Sequence, residues 1–162
     1  MTPYASRLSK SGAVLGAIIT MVSGFEGLSL TVYQDPGDVP TVCYGETSFD
    51  GTAVQLGQAP RTLQQCKDAL GAALPKYEAG MVACIKDPAS VPDQSYIAFL
   101  DFTYNVGVGA FCGSTLARDL NAGDLKAACE QLPRWVYLGT TKLPGLVNRR
   151  AAEEVYCLKG VK

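Results

Sequence analysis

The sequence contains no histidine among its 162 residues. This absence excludes Ser-His-Asp and Cys-His catalysis, and it excludes a zinc site built from histidine ligands. An excess of charge is also missing, because the formal net charge is -1. A nucleic-acid-binding protein normally carries a basic face, so we expect no nucleic-acid partner.

Charged residues are scarce at 18%, whereas apolar residues make up 48% of the chain. This balance predicts a folded globule rather than a disordered chain. The length fits one domain with room for two lobes.

The cysteines include no Cys-x-x-Cys pair, which disfavours a zinc ribbon or a redox motif. Their even number and wide spacing favour three disulfides formed in an oxidising compartment. Six buried free thiols in a cytosolic protein is the alternative. The six positions are Cys43, Cys66, Cys84, Cys112, Cys129 and Cys157.

The amino-terminal segment has two interpretations. Residues 1–10 are polar, with Arg7 and Lys10 as the only charges, and residues 11–25 are uncharged and apolar. This order resembles the basic and apolar regions of an export signal, although the run is short for a membrane span and no clear cleavage site precedes Glu26. Apolar residues at four-residue steps equally predict a buried first helix. The two are compatible, since such a segment could associate transiently with a membrane and later complete the fold.

The stretch from Glu26 to Thr41 predicts a helix end followed by a hairpin. Glu26 ends the apolar run, and β-branched and aromatic residues over Leu30–Tyr33 and Pro40–Tyr44 flank a Pro-Gly-Asp turn. Asp35 stands beside that turn. A helix end packed on a hairpin places a carboxyl on each wall of a cleft, which is the arrangement that glycoside hydrolysis needs.

Each of these residues also has an ordinary structural interpretation. Glu26 could be a solvated charge, Asp35 a turn former and Thr41 a β-branched strand residue. Burial beside Phe25 would favour the protonated form of Glu26 and suit a proton donor.

Local signals predict helices over most of the remaining chain. Asp50-Gly51 indicates a turn, Thr62 and Gln65 fit a capping box, and Pro75 should kink or restart the helix that follows. Further helices are expected as follows: from Asp93 until Gly107 and Gly109; after the cap Ser114 until Asn121–Gly123; after the cap Asp124 until Pro133; and from Pro144 to Gly160. Trp135 and Tyr137 are expected in the core rather than as a sugar platform.

Four segments follow one another along the chain: Glu26-Gly-Leu-x-Leu-x-x-Tyr-x-Asp35; Thr41-x-x-x-Gly45; Tyr104-Asn-Val-Gly-Val-Gly-Ala-Phe111 with Ser114-Thr-Leu116 and Leu120-Asn-x-Gly-Asp124; and Gly145-Leu-x-x-Arg149-Arg150-x-x-Glu153. In this order they resemble the phage-type lysozymes, which are endolysins of glycoside hydrolase family 24, and in particular their lambdoid, disulfide-bearing or signal-anchor-like branch. The similarity spans nearly the whole chain after about residue 12.

The resemblance implies an α+β, mostly helical fold of the lysozyme type. A small β-hairpin lobe (about 27–60) and a larger helical lobe (about 61–162, with a first helix at 12–25) would be joined by a long helix, with the active-site cleft between them. Residues 1–11 would form a polar segment before this single domain at 12–162.

The resemblance also implies roles for individual residues. Glu26 matches the general acid, Asp35 the second carboxylate, and Thr41 the hydroxyl that holds the attacking water. Asn105 would line the sugar cleft. One of the neighbouring arginines, with Arg149 favoured over Arg150, would reach Glu26 and orient it.

At one position the chain departs from the family pattern, because Glu46 stands where many relatives place histidine. A salt bridge made by that histidine would be lost, and the pH dependence of stability would change. The resemblance further implies pairing of Cys43 with Cys66, Cys84 with Cys112, and Cys129 with Cys157. Each disulfide would add about 2–4 kcal/mol to the free energy of unfolding.

The implied activity is an endolysin that hydrolyses the β-1,4 bond between N-acetylmuramic acid and N-acetylglucosamine in peptidoglycan, with inversion, to lyse the host cell. A catalytically silent wall-binding or inhibitor protein and a lytic transglycosylase are the alternatives, and retention of Asp35 and Thr41 argues against the latter. No metal or cofactor is expected. We expect a monomer acting in the bacterial periplasm or after export, with a membrane tether as one route before release.

Overall fold

The computed structural model of the protein describes residues 5–35, 37–49 and 51–162. The chain forms two units. The hairpin unit comprises Ile19–Leu74, and the helical unit comprises the described residues up to Ile18 together with Pro75–Lys162. Two helices, α2 (Gly12–Phe25) and α3 (Leu63–Ala83), contribute to both units. The lobe and domain limits expected from the sequence stay predictions.

The hairpin unit contains two antiparallel strand pairs. Strands β1 (Ser29–Gln34) and β2 (Pro40–Cys43) pair with Tyr33 opposite Thr41, and β3 (Ser48–Phe49) pairs with β4 (Thr52–Ala53). The two strands predicted around Asp35 are therefore present, with ends that differ by one residue. Within the two predicted turns, Pro36 and Asp50 lie outside the described residues.

Helix α3 begins with the predicted capping box. The Thr62 N–H donates to Gln65 Oε1 over 2.8 Å, and the Gln65 N–H donates to Thr62 Oγ1 over 3.1 Å. The prediction that Pro75 restarts the helix is wrong, because α3 continues from Leu63 to Ala83. Proline removes one backbone hydrogen bond, and the other bonds of a 21-residue helix preserve its continuity.

The helical unit consists of short elements around one buried helix. They are α1 (Arg7–Lys10), α4 (Asp93–Val106), α5 (Val108–Cys112), α6 (Thr115–Asn121), α7 (Leu125–Glu130), β5 (Tyr137–Leu138), β6 (Thr141–Lys142) and α8 (Pro144–Leu158), with 3-10 turns at Pro88–Ser90 and Leu132–Arg134. The expected α+β, mostly helical architecture is confirmed.

The helix ends in this unit match the sequence signals at three positions and differ at a fourth. Ser114 and Asp124 accept backbone N–H groups three residues ahead, as N-caps do. Gly107 ends α4 with a φ of 89°, a left-handed conformation that suits glycine. Gly109 does not end a helix, because α5 has already begun at Val108.

Helix α4 lies in the core of the helical unit. Its residues from Ser95 to Thr103 are all buried. Large side chains of this unit that lose all contact with solvent include Tyr96, Phe99, Leu100, Phe102, Phe111, Leu116 and Leu132. The ring of Trp135 meets Phe102 edge-on with a centroid distance of 5.1 Å, and the Trp135 side chain is half-buried at the edge of this core.

The prediction that Tyr137 lies in the core is wrong. Its side chain is 57% exposed on a two-residue strand of the hairpin formed by β5 and β6. The turn of that hairpin includes Gly139, whose φ is 59°. The sequence Trp-Val-Tyr offered no period from which to assign an exposed strand to Tyr137.

Helix α1 is held by a side chain that is distant in sequence. The carboxylate of Glu78, which is buried, accepts the N–H of Arg7 over 2.8 Å and that of Leu8 over 3.3 Å. It also accepts the hydroxyl of Tyr96 over 2.8 Å. A four-residue helix is not stable alone in water, so this tertiary cap accounts for its presence.

Three disulfides are present, and their pairing is the one that the resemblance implies. Cys43 bonds to Cys66 within the hairpin unit. The other two lie within the helical unit and join Cys84 to Cys112 and Cys129 to Cys157.

None of the helices in the described ranges has both the length and the apolar character that crossing a membrane requires.

A cluster of four charged side chains lies between α4 and α8. Arg149 donates from Nε and Nη2 to the two oxygens of Asp101, over 3.0 Å and 2.9 Å. Arg150 donates from Nη2 to Glu153 Oε1 over 2.6 Å, and its guanidinium lies over the ring of Phe102. All four side chains are buried, and each arginine is hydrogen-bonded to a carboxyl group of the cluster.

Glu153 holds a proton within this cluster. Burial raises its pKa from 4.5 to about 10. The hydrogen bond with Asp101 and the charge of Asp101 also raise the pKa, whereas the charges of Arg150 and Arg149 lower it. Its Oε2 is buried and accepts no hydrogen bond from the described residues. A proton on this oxygen lets it donate to Asp101, which resolves the position of an otherwise unmatched polar atom.

We predict that Glu153→Gln makes stability less dependent on pH. In the wild type the folded state keeps the Glu153 proton up to a pH of about 10, whereas the unfolded state releases it above 4.5. The unfolded state therefore binds fewer protons in this window, and the free energy of unfolding falls as pH rises. Glutamine keeps both a hydrogen-bond donor and an acceptor but cannot ionise. The free energy of unfolding of the variant, relative to that of wild type, should therefore increase with pH.

Urea unfolding at about pH 5.5, 7 and 8.5 measures this difference. Glu153→Ala is the comparison variant, and it should lose about 1–3 kcal/mol because the buried guanidinium of Arg150 loses a hydrogen-bond acceptor. A constant difference between wild type and Glu153→Gln across the three pH values would show that Glu153 is ionised in the folded state.

Candidate active site

Glu26 lies directly after the last residue of α2. Its N–H donates to the carbonyl of Val22 over 2.9 Å, so the helical hydrogen-bond pattern extends one residue past Phe25. The side chain is half-buried. The chain then leaves the helix through Gly27 and enters β1 at Ser29. The carboxyl is thus attached to a rigid helix end rather than to a loop.

Asp35 follows β1 and is fixed by the backbone of its own turn. Its Oδ1 accepts the N–H of Gly37 over 2.8 Å and the N–H of Val39 over 2.9 Å. A Cβ added at Gly37 would approach this oxygen to 3.3 Å, so glycine leaves room for the carboxyl. These bonds hold the carboxylate in one orientation, as in an Asx turn.

Thr41 lies on β2 and is 3% exposed. Its hydroxyl donates to the carbonyl oxygen of Val39 over 2.9 Å. Since the only hydroxyl hydrogen is used in this bond, the lone pairs of Oγ1 remain as acceptors.

The backbone of Val39 therefore links two of the predicted site residues. Its N–H donates to the Asp35 carboxylate, and its carbonyl oxygen accepts both the Asp35 N–H over 3.0 Å and the Thr41 hydroxyl. This three-bond connection sets the carboxylate and the hydroxyl at a fixed separation. Sequence reasoning singled out Asp35 and Thr41 but did not foresee that Val39 joins them, since backbone groups leave no residue-type signal.

Glu46 is a further acidic side chain of the hairpin unit. Its Oε2 accepts the Tyr44 N–H over 2.7 Å, and its Oε1 is buried and accepts no hydrogen bond from the described residues. Burial raises the pKa of Glu46 above 4.5, and the negative charge of Glu26 raises it further against the backbone hydrogen bonds that lower it. The sequence indicated Glu46 only as a departure from the family pattern.

The remaining predicted residues belong to the helical unit. Asn105 accepts Arg150 Nη2 over 3.0 Å through Oδ1. Arg149 forms the two hydrogen bonds to Asp101 described above, and its Nε lies 3.3 Å from Glu153 Oε1. The sugar contact of Asn105 and the orientation of Glu26 by Arg149 stay predictions. Asp101 was missed because a carboxylate inside an apolar helix gives no local sign of its partner.

Known proteins resemble this chain in sequence and in fold. The family model described as phage lysozyme matches residues 23–153. A SAR-endolysin of Enterobacteria phage PA-2 is 38% identical, with 98% of each chain covered. The endolysin from Escherichia coli O157:H7 phage FAHEc1 superposes with a TM-score of 0.78 at 29% identity, over 99% of this chain and 97% of that one. The crystal structure of a mutant of P22 lysozyme gives a TM-score of 0.79 at 29% identity, over 88% and 95% of the two chains.

The matched region contains all three residues from which the site was predicted and the arginines of α8. The match to the family model covers well over half of the sequence, and the similarity to the PA-2 protein runs the length of both chains. The chain belongs to the phage lysozyme family.

Proposed function

We propose that this chain is an endolysin that lyses the host cell wall as a muramidase. The reaction is hydrolysis of the β-1,4 bond between N-acetylmuramic acid and N-acetylglucosamine in peptidoglycan, with inversion at the anomeric carbon. The observation that carries the proposal is the joint attachment of the Asp35 carboxylate and the Thr41 hydroxyl to the peptide groups of Val39. Membership of the phage lysozyme family supports it independently.

The Asp35–Thr41 arrangement suits the binding of a nucleophilic water. A carboxylate oxygen accepts one hydrogen of the water, and Thr41 Oγ1, whose own hydrogen goes to Val39, accepts the other. The lone pairs of the water oxygen then point away from both groups and toward the anomeric carbon. Rigid placement of this kind supplies much of the rate, because the water has little freedom left to lose.

Glu26 is the general acid in this proposal. Its proton passes to the glycosidic oxygen as the bond from the anomeric carbon to that oxygen breaks. The water attacks the opposite face of the sugar and gives up a proton, which Asp35 accepts. The product has a new reducing end with inverted configuration. An inverting pair of carboxyls is expected roughly 6.5–9.5 Å apart, which leaves room for the water.

The compartment of action follows from the disulfides and the relatives. Three disulfides among six cysteines require an oxidising environment, such as the bacterial periplasm. The PA-2 relative is a SAR-endolysin, which agrees with export across the membrane. We further propose that residues 1–25 contact the membrane transiently before the fold is complete, and that the released enzyme is a monomer.

Glu26→Gln should reduce the clearing of a peptidoglycan suspension by about 10²–10⁴-fold, because glutamine cannot donate the proton. Glu130→Gln is the matched control, since Glu130 is an exposed glutamate paired with Lys126 on the surface of its helix, and such surface pairs contribute little. Mass spectrometry of the wild-type fragments should find reducing ends. Unchanged clearing by Glu26→Gln would remove it from the acid role, and anhydro ends would identify a transglycosylase.

Thr41→Val should lower kcat by about 10- to 100-fold, because valine has the shape of threonine but cannot accept a hydrogen from the water. Thr41→Ser should restore most of the activity, since serine keeps the hydroxyl. Thermal unfolding of both variants separates this loss from a loss of fold. Equal activity of the valine and serine variants would mean that the hydroxyl does not hold the water.

Proton NMR of a peptidoglycan oligosaccharide during the first minutes of digestion should show the α-anomer forming before mutarotation. This outcome follows from attack by water on the face opposite to the leaving group. Initial formation of the β-anomer would contradict inversion and would indicate a covalent intermediate.

A further inference from the structure

Tyr33 lies opposite Thr41 in the hairpin formed by β1 and β2. Directly opposed residues of an antiparallel pair point to the same face of the sheet, with Cβ atoms about 4.5–5.5 Å apart. The two side chains differ in exposure, because Thr41 is buried whereas Tyr33 is 40% exposed. The tyrosine ring therefore stands beside the hydroxyl that is proposed to hold the water, and it is open to solvent.

The same face of the hairpin includes Asp35 and Val39. Side chains alternate along a strand, so Asp35 shares the face of Tyr33, and Val39 shares the face of Thr41. The Asp35 N–H donates to the Val39 carbonyl over 3.0 Å, which extends the pairing of the two strands by one residue. Val39 is 41% exposed. This face thus combines a carboxylate and a hydroxyl with two exposed apolar side chains.

The exposure of Tyr33 has no explanation in the mechanism as described so far. The residue belongs to the segment Glu26-Gly-Leu-x-Leu-x-x-Tyr-x-Asp35, from which the site was predicted, yet only the two acids of that segment have a role. A single exposed apolar side chain is ordinary on a protein surface, whereas apolar side chains that flank a polar site are typical of ligand contacts. Tyrosine offers a large, rigid ring for such a contact.

The substrate presents a matching surface to this hairpin. In the proposed reaction, water attacks the N-acetylmuramic acid ring on its α face, opposite to the β-linked leaving group. The axial hydrogens on C1, C3 and C5 of that ring all point to the α face, whereas those on C2 and C4 point to the β face. The sugar must therefore turn a patch of C–H groups toward Asp35 and Thr41, and such a patch packs well on an aromatic ring.

We propose that Tyr33 is a sugar-binding residue: its ring packs on the α face of the N-acetylmuramic acid unit and holds the anomeric carbon over the water bound by Asp35 and Thr41. The inference rests on the proposed function, which sets both the scissile bond and the face of attack. The contact is present before the reaction and during it, so it strengthens the binding of substrate and of transition state alike.

Tyr33→Val and Tyr33→Phe test the role of the ring. Valine suits a strand but removes the ring, whereas phenylalanine keeps the ring and loses only the hydroxyl. Loss of a contact made equally to substrate and transition state raises KM and leaves kcat unchanged. We expect Tyr33→Val to raise KM for a soluble peptidoglycan oligosaccharide about fivefold to thirtyfold, with kcat within about twofold of wild type. Tyr33→Phe should stay within about threefold of wild type in KM.

Leu30→Val is the matched control. Leu30 is an apolar residue of β1 with an exposure similar to that of Tyr33, and it lies outside the pair of Tyr33 and Thr41. Its KM should follow wild type. An unchanged KM for Tyr33→Val, or an equal rise for Tyr33→Phe or Leu30→Val, would overturn the proposal. A fall in kcat without a rise in KM would also overturn it, because that result would show that Tyr33 only supports the hairpin around Thr41.

A binding measurement tests the same contact without catalysis. The probe is a tetrasaccharide of alternating N-acetylglucosamine and N-acetylmuramic acid in which sulfur replaces the oxygen of the scissile bond, so that it resists hydrolysis. In proton NMR, the ring current of Tyr33 should move the hydrogens on C1, C3 and C5 of the bound N-acetylmuramic acid upfield, and those on C2 and C4 much less. Tyr33→Phe should keep this pattern and Tyr33→Val should lose it.

The pattern of shifts separates this inference from the proposed function. Shifts that persist in Tyr33→Val, or that are absent in wild type, would overturn the contact with the ring. Activity of Glu26→Gln decides the proposed acid role on its own. If that variant stays active, the proposed mechanism fails, whereas the shifts of the sulfur-linked sugar still decide whether Tyr33 packs on the α face.

Discussion

The peptide groups of Val39 are the constraint on which the candidate site depends. Asp35 follows the first strand of a short hairpin and Thr41 lies on the second, and neither side chain would have a defined position if it rotated freely. The Val39 N–H binds the carboxylate, and the Val39 carbonyl binds the hydroxyl. Each of these hydrogen bonds contributes only about 0.5–1.5 kcal/mol to stability. Together they determine which donor and acceptor atoms of Asp35 and Thr41 remain available to bind a water.

The hairpin unit is small, and a small unit buries too little apolar surface to be rigid without additional links. Cys43 ends β2 two residues after Thr41, and its disulfide with Cys66 links the end of this strand to α3. Cys43 itself has a φ of 59°, which is unusual for a residue other than glycine. The disulfide and the Val42–Glu46 bridge hold this conformation on either side of it. The strand that positions the hydroxyl is therefore fixed from both directions.

Much of this structure could be predicted from the sequence, and the reason differs by feature. Caps at Thr62, Ser114 and Asp124 are local, so the residues that make them lie within three positions of one another. Glu26, Asp35 and Thr41 were singled out as candidate site residues because their spacing resembles a family. The spacing of a family motif reflects which residues come together in the folded protein, and composition alone does not contain that information.

The remainder depended on groups that meet only after folding. In the sequence Glu153 was only part of the last segment that resembles the family, and its raised pKa depends on burial and on Asp101, which belongs to a different helix. Pro75 was expected to interrupt a helix, because a single proline does not show how many backbone hydrogen bonds the rest of the helix retains. Glu46 looked like a lost imidazole, whereas the structure gives it a neighbouring carboxyl instead.

The disulfides have a consequence for how the chain matures. Their loops of 23, 28 and 28 residues follow one another without overlap, so each cysteine bonds to the next unpaired cysteine along the sequence. A polypeptide that emerges amino end first from a translocation channel would present its thiols two at a time in the correct couples. Oxidation in order of appearance then yields the native linkages directly, and such a chain has little need of an isomerase to reshuffle them.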